Sequence, residues 1–408
     1  MILLAHPFGN QFVRALLRAL DGAGLLGQFV TTVGWPRESA LGRFLAGKFP
    51  AVARRGYDLP PEKITTHPHR EAVRLAASAL GFSHLTRHEQ GWASTDAVWR
   101  DLDRFAAARL PRETTAVYAY EDCAECLFNV ARERGLGRVY DLPIAYWETA
   151  QRLLAEEAER YPDWEPTLGG TRDSEEKLAR KKRELELAEL VVCPSNFVFE
   201  SLPEAARAAK PCVVVPFGSP PVQSRQTETR SSAQGPLRVL FAGSLTQRKG
   251  LADLFAAMKL VRSEEVELVV MGSLLRPLAW YREQCPRFVY EAPRPHADVL
   301  RLMRSCDVFV LPSIVEGRAL VQQEAMTCAL PLIATQNAGG DDLIIEGETG
   351  FLVPIRLPDA IAEKISWCAA NRATVSGMGI AAQERAARLT WHGYGEKVLA
   401  AIRTLTGE

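Results

Sequence analysis

The sequence predicts an α/β protein built from two Rossmann-like, doubly wound domains in tandem. Short apolar runs of strand length alternate with helical stretches along most of the chain. With 408 residues it exceeds the size at which one core usually keeps growing. A Ser-, Gln-, Thr- and Pro-rich stretch from 219 to 235, poor in apolar residues, divides the pattern as a surface linker would.

In the first half, residues 1–218, strands are expected over 2–5, 28–32, 116–120, 138–142, 190–193 and 212–215, with a helix over 11–23. After the linker a second set follows over 238–241, 267–271, 287–290, 308–311, 332–334 and 351–353, within a domain of residues 236–388. Open parallel sheets bind ligands outside the carboxyl ends of their strands, so two facing sheets share a cleft there.

Composition narrows the class. The 49 basic and 49 acidic residues cancel, which removes the case for a nucleic-acid binder resting on a large positive field. A hydrophobic content of 47% with 24% charged residues is ordinary for a soluble protein. No apolar run approaches the roughly 20 residues of a membrane span. Met1-Ile-Leu-Leu-Ala5 leads into a loop rather than a signal-peptide core, so a cytoplasmic location is expected. Of eight scattered cysteines only Cys123 and Cys126 form a Cys-x-x-Cys pair. Without a second pair or histidines at zinc spacing, they read as helix residues one turn apart, and no metal site is expected.

The most informative segment runs from 307 to 335. The apolar run 308–311 fits a strand buried on both faces, and Pro312 and Ser313 stop it before a loop carrying Glu316. Gly317 permits a tight turn, and 319–327 has helical composition. Glu324 then falls about one turn inside that helix, while Glu316 sits outside its start. A helix start attracts phosphate and hydroxyl oxygens because its first amides lack intrahelical partners, and a carboxylate accepts two hydroxyl hydrogen bonds at once. A polyhydroxylated, phosphorylated ligand suits both halves of this arrangement.

Glu316 and Glu324 in this setting resemble the Glu-x7-Glu motif of retaining GT-B glycosyltransferases of the group 1, GT4-like family. Phe241-Ala-Gly-Ser-Leu-Thr-Gln-Arg-Lys-Gly250 resembles that family's phosphate-binding loop, and the segment from Asn337 to Pro354 resembles the one downstream of its paired glutamates. The resemblance spans residues 237 to 354. Upstream it is looser, resting on His6-Pro-Phe-Gly-Asn10, Tyr140-Asp-Leu-Pro143, Cys193-Pro-Ser195 and Val215-Pro-Phe-Gly218.

The resemblance implies a GT-B fold and sugar transfer from a nucleotide diphosphate to a glycan, lipid-linked or small-molecule acceptor, with retention of configuration. The C-terminal domain would hold the nucleotide sugar and the N-terminal domain the acceptor, and a last helix in 389–408 would cross back to the first domain. Glu324 would meet the ribose hydroxyls and Glu316 the donor sugar. Backbone amides of Gly317, Arg318, Ala319, Leu320 and Val321 would meet sugar hydroxyls and phosphate beside Gly243 and Ser244. Arg248 and Lys249 would clamp the diphosphate, whose developing charge calls for fixed cations. The nucleotide sugar is then a co-substrate, with no cofactor and no metal required.

Several residues depart from the family pattern. Ser244 stands where many members have a basic residue, and Arg318-Ala319 where many have an aromatic and a glycine. Arg318 is a substitute phosphate ligand if it points into the cleft and a surface charge if it points out. Ala329 replaces a usual glycine, which affects packing.

On the acceptor side the candidates are His6, Gly9, Asn10 and Asp141, with Gly9 allowing close backbone approach. No general base stands out, and the leaving diphosphate can take the acceptor's proton instead. Asp101-Leu-Asp103 lies in an expected helix, where residues two apart diverge, and reads as solvated rather than metal-binding. Arg180-Lys-Lys-Arg183 admits peripheral contact with a membrane, but the interleaved Glu184, Glu186 and Glu189 favour a salt-bridged solvent face. The competing functions are a non-catalytic carbohydrate-binding or scaffold protein and a sugar-nucleotide epimerase or phosphorylase on the same fold.

Overall fold

Alternate residues of the first strand, β1 (Ile2–Ala5), enter different cores: Ile2 and Leu4 on one face, Leu3 and Ala5 on the other. Successive strand side chains point to opposite faces, so an unbroken apolar run marks a strand covered on both sides. The structure, a computed structural model, describes residues 1–39, 55–169, 172–222, 235–262 and 264–407. Of the expected linker, residues 223–234 therefore lie outside the described residues.

Around β1 lie β2 (Leu26–Thr31), β5 (Ile64–Thr66), β6 (Ala116–Tyr120), β7 (Gly137–Asp141), β8 (Leu190–Cys193) and β9 (Cys212–Val214). They pair in parallel in the order β5-β2-β1-β6-β7-β8-β9. A small parallel pair, β3 (Trp35–Pro36) and β4 (Gly56–Tyr57), forms a separate sheet. The second domain has β10 (Leu237–Ala242), β11 (Val266–Met271), β12 (Val289–Glu291), β13 (Val308–Leu311), β14 (Leu332–Ala334) and β15 (Gly350–Leu352). Its sheet is parallel in the order β12-β11-β10-β13-β14-β15. Strand order reverses beside β1 in one domain and beside β10 in the other, the places where such sheets bind ligands. This is the GT-B arrangement.

β5 and the β3/β4 pair escaped the sequence reading, because Ile64-Thr-Thr and two-residue strands carry no usable periodicity.

Each domain also carries a piece of the other. The helix Trp391–Thr406 packs against the helix Gln11–Gly22, and Tyr394, Val398, Leu399 and Ile402 join the N-terminal core. Tyr394, Val398 and Ile402 recur every four residues with Leu399 beside them, the pattern of one helical face. In the opposite direction, Trp164 enters the C-terminal core, with its ring 4.8 Å from that of Trp280 and 5.8 Å from that of Tyr281.

Three expectations need correction. Arg180 and Lys181 are buried, not on a solvent face. Arg180 pairs with Asp96 and, at 3.1 Å, with Asp122, while Lys181 lies 3.3 Å from Glu121. Glu184, also buried, accepts from the amides of Asp122 and Ala124 at 2.9 and 3.1 Å. Helical periodicity therefore turns Arg180, Lys181 and Glu184 inward, where buried charges must be paired, while Lys182, Arg183 and Glu186 keep the expected solvent face and Arg183 pairs there with Glu125. Asp103 is not solvated either: it accepts from the amides of Cys126 and Leu127 at 2.7 and 2.9 Å, satisfying the first turn of the helix Glu125–Glu133. That helix excludes Cys123, and both thiols are free. Among the described residues no helix is long and apolar enough to cross a membrane.

Candidate active site

The C-terminal ends of β10 and β13, adjacent in the second sheet, open onto a cleft of about 710 Å³ between the domains. From the C-terminal domain it is lined by Ala242, Gly243, Lys249, Met271, Arg294, His296, Val299, Glu316, Gly317, Arg318, Ala319, Leu320, Val321 and Glu324. Thus the expected donor residues meet at one place, apart from Ser244 and Arg248.

After β10 the chain turns at Gly243, whose φ of +149° favours glycine and over which the Lys249 stem lies. A short 3-10 turn, Gln247–Lys249, follows, capped by Thr246, whose hydroxyl accepts from the Arg248 amide at 3.1 Å. The Lys249 ammonium meets Glu316. The Arg248 guanidinium lies 3.0 Å from the same carboxylate and donates to the Val315 carbonyl at 2.8 Å. Burial alone would raise the Glu316 carboxyl, but Lys249 and Arg248 more than offset it and hold the group below the usual carboxylate range. Glu316 is therefore ionised at neutral pH. Arg248 does not line the cleft: its side chain supports the Glu316 loop from behind.

Glu316 leads into the helix Leu320–Thr327, one residue shorter than expected. The amides of Ala319 and Gln322 donate to the carbonyls of Ala338 and Ala319, while Leu320 and Val321 start the helix at the cleft wall. Glu324 faces the same opening, with one oxygen 3.0 Å from His296 Nε2. Gly317 serves close approach: a Cβ here would lie 1.7 Å from the Pro143 carbonyl oxygen of the N-terminal domain. The Gly317 carbonyl accepts from Ser195 Oγ at 2.6 Å, a second contact across the domains.

Arg318 follows neither reading offered for it. Its side chain is fully buried and forms a two-pronged pair with Asp342, with Nη2 3.1 Å from Oδ2. It also donates to Gln323 Oε1 and the Gly339 carbonyl, each at 3.2 Å. A guanidinium so engaged braces the loop after Glu316 against the downstream segment. Ser244 sits half-buried outside the lining and supplies no cleft contact.

The acceptor-side candidates also need correction. His6 is buried among Phe8, Phe12, Trp99 and Tyr120, and its Nδ1 accepts from the Phe8 amide at 2.9 Å. Burial lowers its pKa to about 3, so the ring is neutral. A Cβ on Gly9 would strike the Tyr57 ring, so this glycine accommodates an aromatic side chain rather than a substrate. Asn10 is exposed at the start of the helix Gln11–Gly22, outside the lining. Asp141 points into the core, accepting from the Tyr118 hydroxyl at 2.5 Å. Burial raises its pKa to about 7 against the lowering effect of Tyr118 and Tyr120.

Instead, among the described residues, the N-terminal wall of the cleft is lined by Phe12, Pro143, Ile144 and Phe217. Phe217 and Pro143 fall inside strings flagged in the sequence, but a search for polar chemistry passes over apolar residues. Arg294 and His296 were missed too, although they follow β12 at the strand end where such ligand loops lie.

Beneath the turn Gln247–Lys249 lies a buried polar bridge. Gln247 Nε2 donates to Glu157 at 2.5 Å and to Asp253 at 2.8 Å, and its Oε1 accepts from the Ala252 amide at 2.8 Å. Thr246 Oγ1 donates to the Thr167 carbonyl at 2.6 Å. Arg160 reaches Asp253 at 3.0 Å, and Arg356 pairs with Glu157. Among the described residues, His88, Glu89 and Asp173 form the one group spaced to hold a metal ion, and none of them lines the cleft.

Residues 236–371 match the family model of glycosyl transferases group 1. The C-terminal domain is a group 1 glycosyltransferase domain. Over 85% of both chains, the protein is 24% identical to the D-inositol 3-phosphate glycosyltransferase of Corynebacterium diphtheriae. It is 32% identical to the GDP-mannose-dependent alpha-mannosyltransferase of Mycobacterium tuberculosis over 47% of this chain and 53% of that protein. The fold is similar to that of sucrose-phosphate synthase from Thermosynechococcus elongatus, with a TM-score of 0.64, 19% identity and coverage of 100% and 99% of the two chains. Anabaena Alr3699/HepE, solved in complex with UDP, gives a TM-score of 0.63 at 15% identity over 99% of each chain.

Proposed function

We propose that the protein transfers a sugar from a nucleoside diphosphate donor to an acceptor hydroxyl, with retention of anomeric configuration. The observation that carries this reading is the convergence of Lys249, Glu316, the start of the helix Leu320–Thr327 and Glu324 on one cleft. Lys249 and the loop amides stabilise charge on the departing diphosphate. Arg248 holds Glu316 and Lys249 in register. Glu324 takes the ribose hydroxyls, and Glu316 orients the donor sugar.

In the reaction the bond from the anomeric carbon to the diphosphate oxygen breaks and a bond to the acceptor oxygen forms on the same face. The acceptor's proton passes to the leaving diphosphate. None of the described N-terminal residues lining the cleft carries a side chain that takes up a proton at neutral pH, which favours the diphosphate in that role. Such electrostatic work needs no metal.

A thermal-shift screen of UDP, GDP and their sugars, with and without chelator, tests donor binding. A ligand at about 100 times its Kd adds about 2.7 kcal/mol to stability. Proton NMR of the first product formed reads its anomeric configuration. Inversion, or stabilisation that vanishes with chelator, defeats the corresponding part of the proposal.

A further inference from the structure

The two walls of the cleft differ in chemistry. Each charged side chain among its described lining residues belongs to the C-terminal domain, and the N-terminal domain contributes Phe12, Pro143, Ile144 and Phe217. Phe12 is half-buried and stacks on Phe217, with ring centroids 4.9 Å apart and planes 4° from parallel. Phe217 is held from behind by Trp391 and Tyr394 of the returning helix, at 6.1 and 5.7 Å. The polar groups nearby face elsewhere: His6 is neutral and packed against the Phe12 ring, and Asp141 is bound to Tyr118.

An anionic acceptor brought against this wall would lose hydration, and none of the wall's described residues is a cation that would offset the cost. A neutral sugar ring fits it better, since a pyranose presents a C–H face that packs on an aromatic surface while its hydroxyls remain at the rim. We propose that the acceptor is an uncharged glycoside whose terminal sugar ring packs on the exposed part of Phe12, with the buried Phe217 stacked behind that side chain, directing one hydroxyl toward the donor carbon beside Glu316. This inference rests on the glycosyltransfer reading above and adds the class of acceptor.

The test uses the full chain with a panel of UDP- and GDP-linked sugars, following nucleoside diphosphate release. The acceptors are neutral nitrophenyl glycosides on one side and D-inositol 3-phosphate and glucose 6-phosphate on the other. The neutral class should show kcat/KM at least about tenfold higher, a difference of ~1.4 kcal/mol. Preference for the phosphorylated class overturns the inference.

Phe12→Ala should raise the glycoside KM by about tenfold and the donor KM by less than about twofold, the scale of one aromatic contact. Phe12→Leu, which keeps an apolar side chain and the helix, should fall between. Equal rises in both KM values for either variant would show that Phe12 is structural and overturn the assignment. Release of nucleoside diphosphate with neither acceptor class, from any donor in the panel, overturns the glycosyltransfer reading itself.

Discussion

Gln247 of the C-terminal domain donates to Glu157 of the N-terminal domain at 2.5 Å, and both side chains are fully buried. The turn bearing Arg248 and Lys249 is thus anchored across the domain boundary. Gln247→Met keeps the volume but removes a donor from two buried carboxylates, Glu157 and Asp253. Arg356 and Arg160 still reach these carboxylates, but the buried Ala252 amide loses its acceptor, and one unsatisfied buried group costs about 1–3 kcal/mol, the loss expected in urea denaturation. A loss below about 0.5 kcal/mol would mean the bridge contributes nothing to the fold.

Lys249→Ala should lower turnover roughly 10²-fold if the ammonium stabilises the departing diphosphate, the usual loss for one preorganised donor. The variant should also lose stability at neutral pH. Glu316 is held below its unfolded value, so its contribution is present above the ordinary carboxylate range and disappears as pH falls through its folded pKa. Wild type and variant should therefore converge in stability on acidification. Full transfer activity in the variant would place the clamp elsewhere.

Asp141 shows the opposite dependence. Its folded pKa of about 7 lies above the ordinary value of 3.8. Between those values the folded protein holds a proton that the unfolded chain has lost, so stability falls as pH rises through this window. Asp141→Asn mimics the protonated acid and should remove that slope, whose ceiling for one proton is about 1.4 kcal/mol per pH unit. An unchanged pH profile in this variant would mean that Asp141 stays ionised in the core.

Glu324→Gln and Glu316→Gln separate the two glutamates. The first should weaken nucleoside diphosphate binding by about 1.5–3 kcal/mol, the scale of a hydrogen bond to a charged group. The second should matter mainly for the intact nucleotide sugar. Isothermal titration of each variant with both ligands decides, and a reversed pattern means that the donor lies the other way round.

The fold was legible because its strands are buried on both faces: Val308–Leu311 and Leu190–Cys193 stand out as apolar runs of strand length. The C-terminal side of the cleft was legible for a different reason. Its chemistry sits within the contiguous stretches around Lys249 and from Glu316 to Glu324, so chain spacing sets spatial spacing. The N-terminal wall of the cleft brings together Phe12, Pro143 and Phe217 from three separate loops and elements, and apolar residues give no local sign that they face a cleft. Asp141 and His6 misled because a polar residue at a strand end looks the same in sequence whether it points to the cleft or the core. Arg318 was ambiguous until its partner Asp342, 24 positions onward, came into view.

The placement of Trp164 and of the helix Trp391–Thr406 bears on how such proteins recombine. A division of the chain at the linker would leave a gap beside Trp280 and Tyr281 in one piece and bare the apolar face under Tyr394, Val398 and Ile402 in the other. An exchange of C-terminal domains between relatives therefore has to follow the packing rather than the chain. The Trp164 strap must travel with the C-terminal sheet, and the last helix must stay with the N-terminal one.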